Sequence, residues 1–208
     1  IGIERFADSN YASESFKKYG LTFLSTRVYH NHPKALIQLR KELGIRTAFN
    51  YIGPLLNPAH VPFQIIGVSN ETMMPVMAEI LIDQGREGFV LAHGADGIDE
   101  ISPCAPTKVL EYRNGAIESY VLFPEDFGIS RLDESAIYGG SPETNAEILN
   151  NILHGKDQIR IQAIIPTVAM ALYVCKAAPS IMDGAYLAQK TIYNGNAAQL
   201  LSELQRNI

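Results

Sequence analysis

Phe63-Gln64-Ile65-Ile66-Gly67-Val68, then Met73 to Gln84, then Phe89-Val90-Leu91-Ala92-His93-Gly94 follow one another near the middle of the chain. The outer two runs are short and apolar and read as buried strands. The run between them reads as a helix that Gly85 closes. Strand, helix and strand with short connections make a βαβ unit, so the two strands are expected to lie parallel. The expected class is α/β, a mostly parallel sheet flanked by helices.

Working toward the carboxyl end, Thr107 to Tyr112 and Ile117 to Phe123 flank Arg113-Asn114-Gly115-Ala116. Asn-Gly between two strand-like runs predicts a hairpin. From Pro142 the character is helical. Thr144 to His154 stops at Gly155, Ile161 to Cys175 is expected to be a buried helix, bent at Pro166 if it is continuous, and Ser180 to Tyr193 and Ala197 to Gln205 complete the chain. Toward the amino end, Asp8 to Tyr19 is expected to be a short amphipathic helix, with Phe16 facing a core and Lys17 and Lys18 in water. Pro33 opens a helix through Leu43, and a second short helix runs from near Thr47 to the Gly53-Pro54 break.

The chain has 208 residues, 47% of them hydrophobic and 19% charged, which suits one large domain with a real core. The net charge of -5 argues against nucleic acid, whose binders displace counterions with a basic patch. It disfavours an anionic membrane surface for the same reason. No run reaches the roughly 18 apolar residues that span a bilayer, and no signal peptide opens the chain. Cys104 and Cys175 lie far apart, with no metal-ligand spacing, and are expected to be reduced thiols of a cytoplasmic protein. The first residue is Ile1 rather than Met, which suggests processing or a cut within a longer protein.

Four constellations could carry chemistry. His93-Gly94-Ala95-Asp96-Gly97-Ile98-Asp99-Glu100 includes the end of a predicted parallel strand and the loop after it, where α/β sheets gather ligands. Its adjacent carboxylates offer hard oxygen ligands of the kind Mg²⁺ takes alongside water and phosphate, or they form a solvated acidic turn. Arg40 to Arg46, continuing through Gly53-Pro54 to Ala59, offers arginine forks for carboxylate or phosphate, or is a basic helix end beside a turn. Thr26-Arg27-Val28-Tyr29-His30-Asn31-His32-Pro33 places two histidines before a helix without a third ligand for zinc, and reads as a substrate loop or a polar helix entry. Ser141-Pro142-Glu143-Thr144 reads as a capping turn.

Taken together, these segments resemble the anthranilate phosphoribosyltransferase family. Leu43 to Asn50 and Gly53-Pro54-Leu55-Leu56-Asn57-Pro58-Ala59 are similar to its signature. His93 to Ser102 is similar to its second metal motif, and Gly139-Gly140, Glu143 and Asn145-Ala146 to the start of a late helix. The resemblance implies a pentosyltransferase that joins anthranilate to phosphoribosyl pyrophosphate in tryptophan biosynthesis. It implies a small helical domain and a larger α/β domain with the active site at the hinge. On that pattern residues 1–20 lead in, 21–60 form the hinge and helical-domain segment, and 61–208 form the α/β domain, with most of the helical domain absent. Arg40, His30, Gly53 and Pro54 would take anthranilate, and Asp99 and Glu100 would hold Mg²⁺. The full-length protein would be a cytoplasmic homodimer that binds neither nucleic acid nor membrane.

Three departures qualify the match. The family's glycine-rich pyrophosphate loop has no counterpart here, so the chain is expected to be a fragment that is inactive alone. Thr26-Arg27 stands where Ala-Pro is usual, and Pro166-Thr167 stands about where the late helix carries Asn. These keep two alternatives open, a nucleoside phosphorylase-like enzyme of the same fold and a non-catalytic ligand-binding paralogue.

Overall fold

A computed structural model describes residues 9–25, 29, 42 and 49–206. Among them the helices are α1 (Ser9–Tyr19), α2 (Phe49–Leu55), α3 (Met74–Asp83), α4 (Pro142–Leu153), α5 (Gln158–Val174), α6 (Ile181–Tyr193) and α7 (Asn196–Arg206). The strands are β1 (Phe63–Gly67), β2 (Gly88–Gly94), β3 (Thr107–Arg113) and β4 (Ala116–Leu122). The chain divides into two compact units, one of Ile1–Pro58 with Ala197–Ile208 and one of Ala59–Asn196.

In the second unit the strands form one sheet in the order β1-β2-β3-β4. The expected βαβ unit is present, with β1 and β2 parallel and Ile65 beside Val90. The hairpin is present too, with Arg113 opposite Ala116 and Asn114-Gly115 as its two-residue loop. The pairings of β3 with β2 and with β4 are antiparallel, so the sheet is mixed. Alternate residues of β2 serve opposite faces. Val90 and Ala92 join the core formed with Ile161, Ile165, Ala169 and Met170 of α5 and Ala185 and Ala188 of α6. Phe89 and Leu91 are equally buried, so both faces are covered, and α3 packs against β2 and β3. α5 lies against α6 so closely that a Cβ on Gly184 would come within 2.6 Å of the Ala169 carbonyl oxygen.

α5 is continuous through Pro166, which is buried, with Asp157 as its N-cap. Proline withholds one backbone bond but its φ suits a helix, and the packing of Ile165 and Ala169 on either side carries the element across. α2 likewise runs through Gly53 and Pro54, where a break was expected, and ends at Leu55, within two residues of the proline. In α1 the expected facing is corrected. Ala12 and Ser15 are buried, while Phe16 is 60% exposed. The Ser15 hydroxyl donates to the Leu21 carbonyl at 2.8 Å, which satisfies that buried polar group and sets which side turns inward. The segment Pro33 to Leu43, predicted helical, lies outside the described residues apart from Glu42. Among the described residues no helix is long and apolar enough to cross a membrane.

Candidate active site

The parallel pair fixes where the candidate site is. β1 and β2 end side by side at Gly67 and Gly94, and the acidic loop leaves from the second of these ends. The loop folds back across the first. A Cβ on Gly67 would fall on the Asp99 carbonyl, so only glycine leaves room for the loop backbone there. Gly94 makes similar room, since its Cβ would come within 2.9 Å of the Ile98 side chain and 3.2 Å of Ser102 Cβ.

Side-chain bonds inside the loop hold that course. Ser102, 1% exposed, is the hub. Its hydroxyl donates to Asp96 Oδ2 at 2.6 Å and accepts from the backbone N–H groups of Cys104 at 3.0 Å and Ala105 at 2.9 Å. Its own N–H donates to Thr107 Oγ1 at 2.8 Å. The Gly94 N–H donates to the Ile98 carbonyl at 3.0 Å, closing the loop on itself. His93 Nδ1 lies 2.8 Å from the Val68 carbonyl, which can only accept, so Nδ1 carries the proton and ties the ends of β1 and β2. Beside this loop, burial pushes the Cys104 thiol up, and Asp96, Glu134 and Asp133 add to the shift. Such a thiol stays protonated and is a poor nucleophile or metal ligand.

Asp99 and Glu100, expected to be metal ligands, are adjacent and exposed at the carboxyl edge. Glu100 Oε2 accepts from the Thr167 hydroxyl of α5 at 3.2 Å. Among the described residues no further His, Cys, Asp or Glu joins them in a cluster of three. Two carboxylates facing water suit Mg²⁺, which fills its octahedron with water and phosphate oxygens. They do not suit zinc, which asks for three or four protein ligands. Nearby, Lys108 and Glu71 pair at 2.9 Å across the same edge. The Lys108 hydrogen bond and charge hold the Glu71 carboxyl below its ordinary value.

Of the residues assigned to anthranilate, Gly53 and Pro54 sit together in α2, in the first unit. Arg40 and His30 lie outside the described residues, as do Thr26 and Arg27. Asp99 and Glu100 belong to the second unit. Ser141 is the N-cap of α4, its side chain accepting from the Thr144 N–H, as the capping reading expected. Asn145 returns to the backbone of Gly140, accepting from its N–H at 2.8 Å and donating to its carbonyl at 3.2 Å. Sequence reading missed the roles of Gly67, Asp96, Ser102 and Thr107. Asp96 and Ser102 lay within the quoted motif, but only the folded loop shows which side chain closes on which.

With this fold and loop the chain belongs to the glycosyl transferase family, a/b domain, whose model matches residues 1–198. Within it the chain is similar to anthranilate phosphoribosyltransferases. That of Acetivibrio thermocellus is 38% identical over 203 residues, covering 98% of this chain and 59% of that protein. That of Methanobrevibacter smithii is 37% identical, covering 98% of this chain and 61% of that protein. The crystal structure of anthranilate phosphoribosyltransferase from Thermus thermophilus superposes with a TM-score of 0.88 at 31% identity, covering 99% of this chain and 61% of that one. The Saccharomyces cerevisiae enzyme in complex with PRPP and Mg does so with a TM-score of 0.88 at 27% identity, covering 100% of this chain and 61% of that one. The chain therefore spans about three fifths of the length of the relatives it matches.

Proposed function

We propose that the protein to which this chain belongs transfers the phosphoribosyl group of phosphoribosyl pyrophosphate to anthranilate, releasing pyrophosphate, in tryptophan biosynthesis. The observation that carries this reading is the Asp99-Glu100 pair on the carboxyl edge of the parallel strands, in a chain whose relatives bear that name. A solved neighbour in complex with PRPP and Mg supports both the donor and the metal, and one in complex with 4-fluoroanthranilate supports the acceptor. Because the relatives are longer, the activity is assigned to the full-length protein, and the 208-residue chain is expected to show no turnover.

Asp99 and Glu100 would hold Mg²⁺, which when bound supplies positive charge to the leaving pyrophosphate. The chain's own residues bind and orient. The Arg40 guanidinium offers a two-pronged donor to the anthranilate carboxylate, which turns the amine toward the ribose carbon. His30, Gly53 and Pro54 complete that acceptor pocket. Residues 1–20 are assigned as the lead-in, 21–60 as the hinge and helical-domain segment and 61–208 as the α/β domain; the division between Pro58 and Ala59 supports the second boundary, while Ala197–Ile208 groups with the first unit. The protein is read as a cytoplasmic homodimer with no nucleic-acid or membrane partner.

The test is direct. Full-length protein with anthranilate, phosphoribosyl pyrophosphate and Mg²⁺ should consume anthranilate fluorescence and release pyrophosphate in equal amounts. Asp99→Asn and Glu100→Gln should each lower kcat/KM about 100-fold or more, the loss of a charge that acts on the leaving group. Pyrophosphate release that does not depend on anthranilate would overturn the acceptor. Full activity in both variants would overturn the metal site.

A further inference from the structure

We infer that Thr167 is a positioning residue for Glu100, its hydroxyl fixing one carboxylate oxygen so that the other is presented beside Asp99. The inference rests on the metal reading of Asp99 and Glu100 given above.

The hydrogen bond joins residues 67 positions apart in sequence, at 3.2 Å. A carboxylate only accepts, so the hydroxyl donates, and with one proton it can satisfy one oxygen. The bond is not the one a helical threonine makes by default. Such a hydroxyl commonly turns back to the carbonyl four residues earlier, as Thr191 of α6 does to Leu187 at 2.8 Å. Thr167 instead reaches out of α5 to the loop. It reaches from firm ground, because Ile165 and Ala169 on either side are 0% exposed, and so is Met170.

The two carboxylates are then held by different means. Asp99 has a short side chain, and its backbone carbonyl is seated against Gly67. Glu100 is exposed and has a longer, freer side chain, so its placement needs an outside partner. A hydroxyl suits that task because it is neutral. Lysine or arginine at the same place would cancel the charge that attracts a cation, whereas threonine orients the group and leaves the charge intact. Ordering a ligand before the ion arrives raises affinity by lowering the entropy lost on binding.

The test uses Mn²⁺ as the probe, titrated into the full-length protein, with paramagnetic broadening of the backbone amide signals of Gly97 to Glu100 as the readout. Thr167→Val should weaken Mn²⁺ about 10-fold, the lower end of what removal of a partner behind a metal ligand does. Thr167→Ser, which keeps the donor, should retain the native affinity, and Thr167→Ala removes the donor a second way if the valine variant melts early. If Thr167→Val binds Mn²⁺ as the native protein does while Glu100→Gln loses it, Thr167 does not position Glu100 and the metal reading survives. If neither Asp99→Asn nor Glu100→Gln alters the broadening, the metal reading fails and this inference fails with it.

Discussion

The sheet reverses its chain twice between antiparallel neighbours, and the two reversals are built on different physics. β3 and β4 are joined by Asn114 and Gly115 alone, with φ of 53° and 82°. Positive φ at both positions is the type I′ turn, whose twist matches that of the flanking strands. β2 and β3 are joined by residues 95–106, far more chain than a reversal needs. That excess carries Asp99 and Glu100 to the carboxyl edge. The short turn is shaped by backbone preference. The long loop is shaped by space at Gly67 and Gly94 and by a buried hydroxyl, so the proposed metal carboxylates sit on the reversal that tertiary structure has to hold.

The sharpest way to break this contrast is Gly67→Ala. The new methyl group would fall on the Asp99 carbonyl, which is backbone and cannot swing aside. Overpacking of this kind destabilises by about 1–3 kcal/mol, and here the strain is relieved by lifting the acidic loop. We expect a lowered Tm together with loss of Mg²⁺ or Mn²⁺ binding. A variant that melts early but binds metal normally would show that the loop's place on β1 does not matter to the carboxylates.

Ser102→Ala set against Gly115→Ala separates the two kinds of reversal. The first leaves the Cys104 and Ala105 N–H groups and the Asp96 carboxylate without their shared partner. Buried groups left unsatisfied cost about 1–3 kcal/mol. The second places a Cβ at a φ of 82° where nothing crowds it. The left-handed conformation alone costs about 1 kcal/mol. Urea unfolding should therefore rank Ser102→Ala as the larger loss. Metal binding should fall in Ser102→Ala alone, since only that loop carries the carboxylates. Equal effects on binding would erase the distinction.

The same contrast explains what could be read in advance. The Asn114-Gly115 turn and the parallel pair were legible because each follows from a short run of residues and its period. The adjacency of Asp99 and Glu100 was legible because it is sequence itself. The hub was not, because Ser102 is one serine among many until the fold brings Asp96 and the N–H groups of Cys104 and Ala105 around it. Phe16 was misplaced because period alone cannot tell which stripe of a helix faces the chain, and the Ser15 hydroxyl decided it. The run from Ile161 to Cys175 was legible as one buried helix spanning Pro166, and α5 carries it, beginning three residues earlier at Gln158.

A third tie on this edge sharpens the comparison at its weak end. Lys108, next to the loop's last anchor Thr107, pairs with Glu71 at 2.9 Å, and both side chains are about half exposed. Where Ser102 is buried and its bonds are costly to lose, this pair stands in water and is screened by salt. The Glu71 carboxyl is held below its ordinary value of 4.5, first by the Lys108 hydrogen bond and then by its charge. A depressed folded-state value means the ionised form is favoured by folding. The stabilisation is therefore whole above the unfolded value and is lost as pH falls through the folded one. Native protein and Glu71→Gln should differ slightly in urea midpoint at pH 7 in low salt. The gap should close as pH is lowered below about 4, and also at pH 7 in about 1 M salt. A gap that persists in acid would mean that Glu71 acts through packing rather than charge, and that the exposed tie resembles the buried hub more than its setting implies.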